Sequence, residues 1–110
     1  MKRTLGNWKV KPWRSPKYMK WISSLECCIT DAPGPNDPHH SNEPGHGTMG
    51  GKCSDARCLP LAHWLHQEVE RGEAEFWEFW GKDPEALIAF YNAEWIRLGN
   101  TFDEKRRRKK

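Results

Sequence analysis

No run of apolar residues in this sequence approaches the roughly 18 that a membrane-spanning helix needs. Its basic N-terminus is not followed by the apolar segment of a secretory signal, so a cytoplasmic protein is expected. A chain of 110 residues leaves no room for a second domain beside one modest core, which excludes large multi-domain enzymes. No segment repeats, which excludes solenoid architectures. Only four cysteines are present, Cys27, Cys28, Cys53 and Cys58, and in a reducing cytoplasm they do not form a disulfide framework. Hydrophobic residues make up 36% of the chain, so core formation must lean on its seven tryptophans, and a domain this small often gains stability from a bound metal.

Acidic residues are missing from residues 1–20, which hold seven Lys/Arg. Lys105 to Lys110 are six consecutive basic residues, whereas residues 21–104 hold five basic against fifteen acidic side chains. Segment charges of +7, −10 and +6 thus underlie the net +3. Two basic ends on an acidic middle suit a partner with phosphates, because each neutralised phosphate releases a counterion. Solubilising tails explain the charge alone equally well.

Residues 1–14 show no clear period and read as a basic arm. Ser15 as cap and Pro16 at the first helical position open a helix with Tyr18, Trp21, Ile22 and Leu25 on one face, ending near Glu26. Residues 31–51 are rich in Pro, Gly, Asn, Asp and His and cannot be regular helix. A loop of that length in a compact domain is functional or disordered, and His39, His40 and His46 favour function. Pro60 is expected to open a second helix with Leu61, Trp64, Leu65 and Val69 as its apolar stripe, closed by Gly72. Glu73 to Trp80 reads as a short helix offering Phe76, Trp77, Phe79 and Trp80 for burial, broken by Gly81. Asp83 and Pro84 begin a last helix whose face is Leu87, Ile88, Tyr91, Trp95 and Leu98. The domain is expected over residues 15–100, with a basic tail at 101–110.

Chemistry is concentrated in Asp37-Pro38-His39-His40 and in His63 and His66 on the following helix. Neighbouring side chains of an extended segment point to opposite sides, so one histidine can bind a metal while the other faces a substrate. His66 and Glu70 are four apart on one helix face, where an imidazole and a carboxylate can hold one cation together, and His63 is an additional candidate for the same site. Each piece alone also fits a solvated surface.

The stretch from Arg14 to about Leu87 resembles the small phage and prophage nucleases of the HNH superfamily, those of the YbcO and Ref kind. The resemblance is carried by Arg14-Ser15-Pro16-Lys17-Tyr18, Leu25-Glu26-Cys27-Cys28, Asp37-Pro38-His39-His40, Gly47-Thr48-Met49-Gly50-Gly51-Lys52, Ser54-Asp55, Pro60-Leu61 and Gly81-Lys82-Asp83-Pro84. It implies an α+β fold: a small, mainly helical domain around a ββα-metal, treble-clef-like core, with basic termini. It further implies a divalent-metal-dependent endonuclease acting on DNA phosphodiesters, with His40 as general base and His39 and His66 as metal ligands. Glu70 stands where relatives carry a second helix histidine, and as a harder ligand it shifts preference toward Mg²⁺ or Mn²⁺, with Zn²⁺ and Ni²⁺ as further occupants. Lys52 and Arg57 are candidate phosphate contacts, and Asp55 a candidate for orienting His40.

The structural zinc of such relatives is expected to be absent, because Cys27 is retained but Thr30, Ala62 and Leu65 occupy the matching positions. Two further readings stay open. One is a catalytically degenerate HNH scaffold that binds nucleic acid or protein. The other is a zinc adaptor built from the four cysteines.

Overall fold

A computed structural model of the chain describes residues 13–41 and 53–102. The basic segment up to residue 12, the glycine-rich stretch with His46 and Lys52, and the run Lys105 to Lys110 lie outside the described residues. In chain order the elements are α1 (Pro16–Ser23), β1 (Asp37–His40), a 3₁₀ turn (Asp55–Arg57), β2 (Cys58–Leu61), α2 (His63–Val69), α3 (Glu73–Trp80) and α4 (Pro84–Arg97). Among the described residues the domain is α+β, with four helices around one two-stranded antiparallel sheet. None of the described helices is long and apolar enough to cross a membrane.

Local chemistry accounts for most of the helix boundaries. Ser15 accepts a hydrogen bond from the Tyr18 N–H at 3.0 Å with Pro16 at the first helical position, and Asp83 does the same for Glu85 at 3.0 Å ahead of Pro84. Gly81 closes α3 in the left-handed conformation at φ 66°, where a side chain would be strained. The first helix stops at Ser23, three residues before the expected end, because the chain turns into a tight loop. Asn36, nearly buried, ties that loop down through its side-chain N–H groups to the carbonyls of Leu25 (2.8 Å) and Ala32 (3.1 Å). A Cβ on Gly34 would lie 2.9 Å from the Ser23 carbonyl oxygen, so this close approach needs glycine.

Pro60 does not open a helix. It lies in β2 directly opposite Pro38, in the register Asp37↔Leu61, Pro38↔Pro60, His39↔Leu59 and His40↔Cys58. Neither proline has an N–H to offer the ladder, and facing each other they leave no donor or acceptor pair broken between them. The Pro60 carbonyl instead accepts from the Cys28 N–H at 2.9 Å. The following helix therefore starts at His63, and Leu61 belongs to the strand. Gly72 is extended, at φ 178°, and precedes α3.

All four residues of β2 are buried, which places the strand between two apolar clusters. Leu59 and Leu61 point into the larger one with Cys27, Leu65, Val69, Phe76, Trp77 and Ile88. Cys58 points the other way, to Tyr18, Ile22 and Trp95, with Trp13, Trp21 and Phe102 packed around them. Tyr18 and Trp95 meet edge to face at 4.9 Å, and the Tyr18 hydroxyl donates to Asn92 at 2.9 Å, so this small core is largely aromatic. Three expected core positions are outside it: Trp64 is 54%, Phe79 80% and Leu98 52% exposed. Trp64 and Phe79 follow from helix rotation, since Leu65 with Val69 and Phe76 with Trp77 take the inward positions. Leu98 sits at the C-cap of α4, past the last packed turn.

The contrast on α2 gives a direct test. Leu65→Ala should cost about 2 to 5 kcal/mol, the range for emptying a buried leucine site, whereas Trp64→Gln should change stability by no more than about 1 kcal/mol. Urea unfolding of the two variants measures both, and equal losses would contradict the packing described.

Candidate metal centre

The register of the β1–β2 ladder decides where each histidine of the pair points. Opposed residues of an antiparallel ladder share a face, so His39 lies on the side of Leu59 and His40 on that of Cys58. His39 reaches α2 and α3, while His40 reaches the 3₁₀ turn and the start of α1.

On the first side, His39, His66 and Glu70 each bring one ligand atom into a group whose members lie within 4.8 Å of one another. The His39 and His66 rings meet at 5.3 Å between centroids, and His66 Nε2 is 3.2 Å from a Glu70 oxygen. The three residues singled out from the sequence are thus together, with His39 buried, His66 half-buried and Glu70 exposed. Two imidazoles and one carboxylate are a donor set that divalent metals accept, and the exposed carboxylate leaves the group open to solvent.

Two carboxylates not singled out from the sequence hold the imidazoles. Asp37 Oδ2 lies 3.0 Å from His66 Nδ1 and 2.7 Å from His63 Nδ1. Glu73 Oε2 lies 3.3 Å from His39 Nε2 and also accepts from the Ser41 hydroxyl (2.6 Å) and the Trp77 indole N–H (3.0 Å). Each histidine therefore has one ring nitrogen turned to a carboxylate, the arrangement that fixes tautomer and ring orientation at metal sites. Burial pushes the Glu73 carboxyl up, but the bonds from His39, Ser41 and Trp77 outweigh it and bring it down to about 2. Asp37 is held below the usual carboxylate range as well, its desolvation being outweighed by His63 and His66. His63 stays exposed and bonds Asp37 without joining the three-residue group.

On the second side, His40 Nε2 is 2.8 Å from Asp55 Oδ1. The Asp55 carboxylate, almost fully buried, also takes the Ser15 N–H at 2.7 Å and the Arg14 guanidinium at 3.1 Å. These donors outweigh its desolvation and keep its acidity stronger than usual. Asp55 thereby links His40 to Arg14 and Ser15. Ser54, not Asp55, caps the local turn. Cys58 lies close enough for His40, Asp55 and Cys58 to form a second group of three potential metal donors, although the Arg14 cation already sits on the shared carboxylate.

Arg57, expected to face phosphate, is committed within the domain: its Nε donates to the Ser41 carbonyl at 2.7 Å and its two terminal nitrogens grip Glu85. Lys52, the other expected phosphate contact, lies outside the described residues. The four cysteines do not gather into a metal-holding group: Cys27 and Cys58 belong to different cores on opposite sides of β2. Cys27 Sγ accepts from the N–H groups of Ile29 (3.5 Å) and Ala62 (3.4 Å), and with Thr30 these bonds outweigh burial and lower the thiol's pKa. Burial pushes the neighbouring Cys28 thiol up to about 12.

The sequence signal for Asp37 is its place two residues before His39, but nothing in the spacing marks Glu73, which reads as an ordinary acid in the first turn of a helix. Only the packing of α3 against α2 brings it under His39.

Because Glu73 is more acidic folded than its ordinary 4.5, the stability it contributes is complete above pH 4.5 and is lost as pH falls toward 2. Glu73→Gln should flatten that part of the stability profile, measured by urea unfolding between pH 2 and 7. The same substitution should weaken Mn²⁺ binding about 10- to 100-fold in calorimetric titration. Unchanged affinity would mean that Glu73 does not support the ligand set.

Comparison with curated proteins and with solved structures finds no match. A family model, described as a protein of unknown function (DUF968), matches residues 3–99. That match takes in α1, both strands and every residue of the two histidine clusters, and the chain belongs to the DUF968 family.

Proposed function

We propose that this protein is a divalent-metal-dependent endonuclease that hydrolyses DNA phosphodiester bonds on a ββα-metal core of the HNH type. The observation that carries the reading is the convergence of His39, His66 and Glu70 on one side of a hairpin whose adjacent His40 is held separately by Asp55. The first strand supplies His39 and His40, the turn before the second strand supplies Asp55, and α2 with its C-cap supplies His66 and Glu70, and the order strand, strand, helix is the one such a core requires.

His39, His66 and Glu70 would hold the cation, with Asp37 and Glu73 fixing the two rings. When bound, a divalent ion such as Mg²⁺ or Mn²⁺ stabilises the negative charge that develops on the phosphate and on the leaving oxygen. His40 accepts a proton from the attacking water as the water oxygen bonds to phosphorus. The bond from phosphorus to the leaving ester oxygen breaks, and that oxygen keeps the bonding pair and takes a proton from solvent. Asp55, ionised and bonded to His40 Nε2, orients the ring and stabilises the imidazolium formed. A neutral imidazole is a suitable base for this step near pH 7.

One observation favours a second reading, a nucleic-acid-binding module on the same scaffold: the His40 side chain is 10% exposed and already bonded. In that case His40 and Asp55 form a structural bond between the hairpin and α1.

Plasmid nicking separates the two. Supercoiled DNA should be nicked with Mg²⁺ or Mn²⁺ and left intact with chelator, and His40→Ala should slow nicking about 10² to 10⁴-fold. Full activity in His40→Ala removes His40 as the base, and no nicking with any divalent ion decides for the binding module.

A further inference from the structure

A cavity of about 360 Å³ lies between α4 and the end of α1 with the loop that follows it. That volume is near the lower end of the roughly 300 to 1,000 Å³ usual for small-ligand sites, so it suits one compact group. No residue of the two histidine clusters lines it. Trp21, Phe90 and Tyr91 turn aromatic rings to it. Trp21 packs on Tyr18 and Trp95 at 5.4 and 5.2 Å between ring centroids, and Phe90 meets Tyr91 edge to face at 5.2 Å, so the rings are held before any ligand arrives.

Three carboxylates, Glu26, Asp31 and Glu94, line the same space, and no Lys or Arg does. Arg97 answers Glu94 at 2.7 Å, but the carboxylates of Glu26 and Asp31 have no hydrogen bond or ion pair among the described residues. The backbone fixes Asp31: its N–H donates to the Cys27 carbonyl at 2.9 Å, and the Cys27 N–H donates to the Ala32 carbonyl at 2.8 Å. Burial, and then Cys28, Cys27, Asp31 and Glu26, push the pKa of the Tyr91 hydroxyl up, which reports a negative potential at that wall. Lys82 acts on Cys28 from outside the lining. The cavity between α2 and α3 differs, because Arg71 lines it and pairs with Glu68 at 3.4 Å.

Unpaired carboxylates repel an anionic ligand, phosphate included. A divalent metal ion takes oxygen ligands and gains nothing from ring faces. A cation that carries its own methyl groups uses both features: the negative ring faces attract its charge, and its apolar surface leaves water against them. We propose that this cavity binds a quaternary alkylammonium group, with Trp21, Phe90 and Tyr91 as its walls and Glu26 and Asp31 as its counter-charges. The proposal does not rest on the nuclease reading. The same head is carried by free quaternary amines and by trimethylated lysine side chains of proteins.

The test is titration of the full chain with choline, followed by two-dimensional NMR, beside 3,3-dimethylbutan-1-ol, in which carbon replaces the charged nitrogen without change of shape. Ionic strength is held constant, because salt screens exposed charges. Choline should shift the amides of residues 25–31 and 90–94, and the neutral alcohol should bind about tenfold more weakly or worse. Phe90→Ala should weaken choline about tenfold, as should Glu26→Gln combined with Asp31→Asn, whereas Phe90→Tyr should stay within about threefold of the parent. Phe90 is 56% exposed and asparagine suits the left-handed φ of 65° at residue 31, so these variants should fold, which thermal melting checks. Equal binding of the alcohol, unchanged choline affinity in the double variant, or no shift around the cavity with choline up to about 50 mM overturns the proposal. Acetyl-trimethyl-lysine-amide titrated in parallel identifies the source: binding tighter than choline assigns the cavity to a modified protein partner, and binding no tighter assigns it to a free amine.

Discussion

In an antiparallel ladder the residues directly opposite each other share a face, so one register decides which way two adjacent histidines look. Here His39 stands opposite Leu59 and His40 opposite Cys58. A slip of one residue would either exchange them or turn Leu59 and Leu61 out of the larger core. The apolar alternation of β2 therefore enforces the placement of polar groups on β1. The two cores follow from the same ladder, since β2 has no solvent face and must be covered on both sides. Helices α2 and α3 cover one face together with the start of α4, and α1 with the end of α4 covers the other.

Placing imidazoles against those cores creates a desolvation cost that is met by carboxylates. Glu73 bonds His39, Asp37 bonds His66, and Asp55 bonds His40. Each carboxylate has at least one further donor, and all three are held in their ionised form over a wider pH range than a free side chain. The same bonds tie the rings into the fold, so in the proposed nuclease the structural and chemical roles would coincide in these residues. They also tie the hairpin to α2, α3 and α1, and the site cannot loosen without loosening the domain.

Around Cys27 the contacts are hydrogen bonds and apolar packing. Ala62 donates its N–H to the sulfur, Leu65 fills the adjoining core, and Thr30 contributes a hydroxyl bond. Aromatic residues carry much of the remaining burden: Tyr18, Trp95, Phe76 and Trp77 are all buried.

The sequence by itself determined the helix starts at Ser15 and Asp83, the break at Gly81 and the pairing of His66 with Glu70 on one helix face, and the family resemblance added His39 to that candidate centre. Caps, prolines at the first helical position and helical spacing act over a few residues. Pro60 is ambiguous in the sequence because its fixed backbone angle suits a helix start and a strand facing another proline alike, and only pairing with Pro38 distinguishes them. Glu73 carries no signal there because an acid at a helix start is ordinary until α3 packs beneath His39. Tertiary structure alone also decided that Arg57 spends its charge on Glu85 and that the Trp13 and Phe102 rings pack together. Those outcomes depend on contacts between residues 28 to 89 positions apart, which no local propensity encodes.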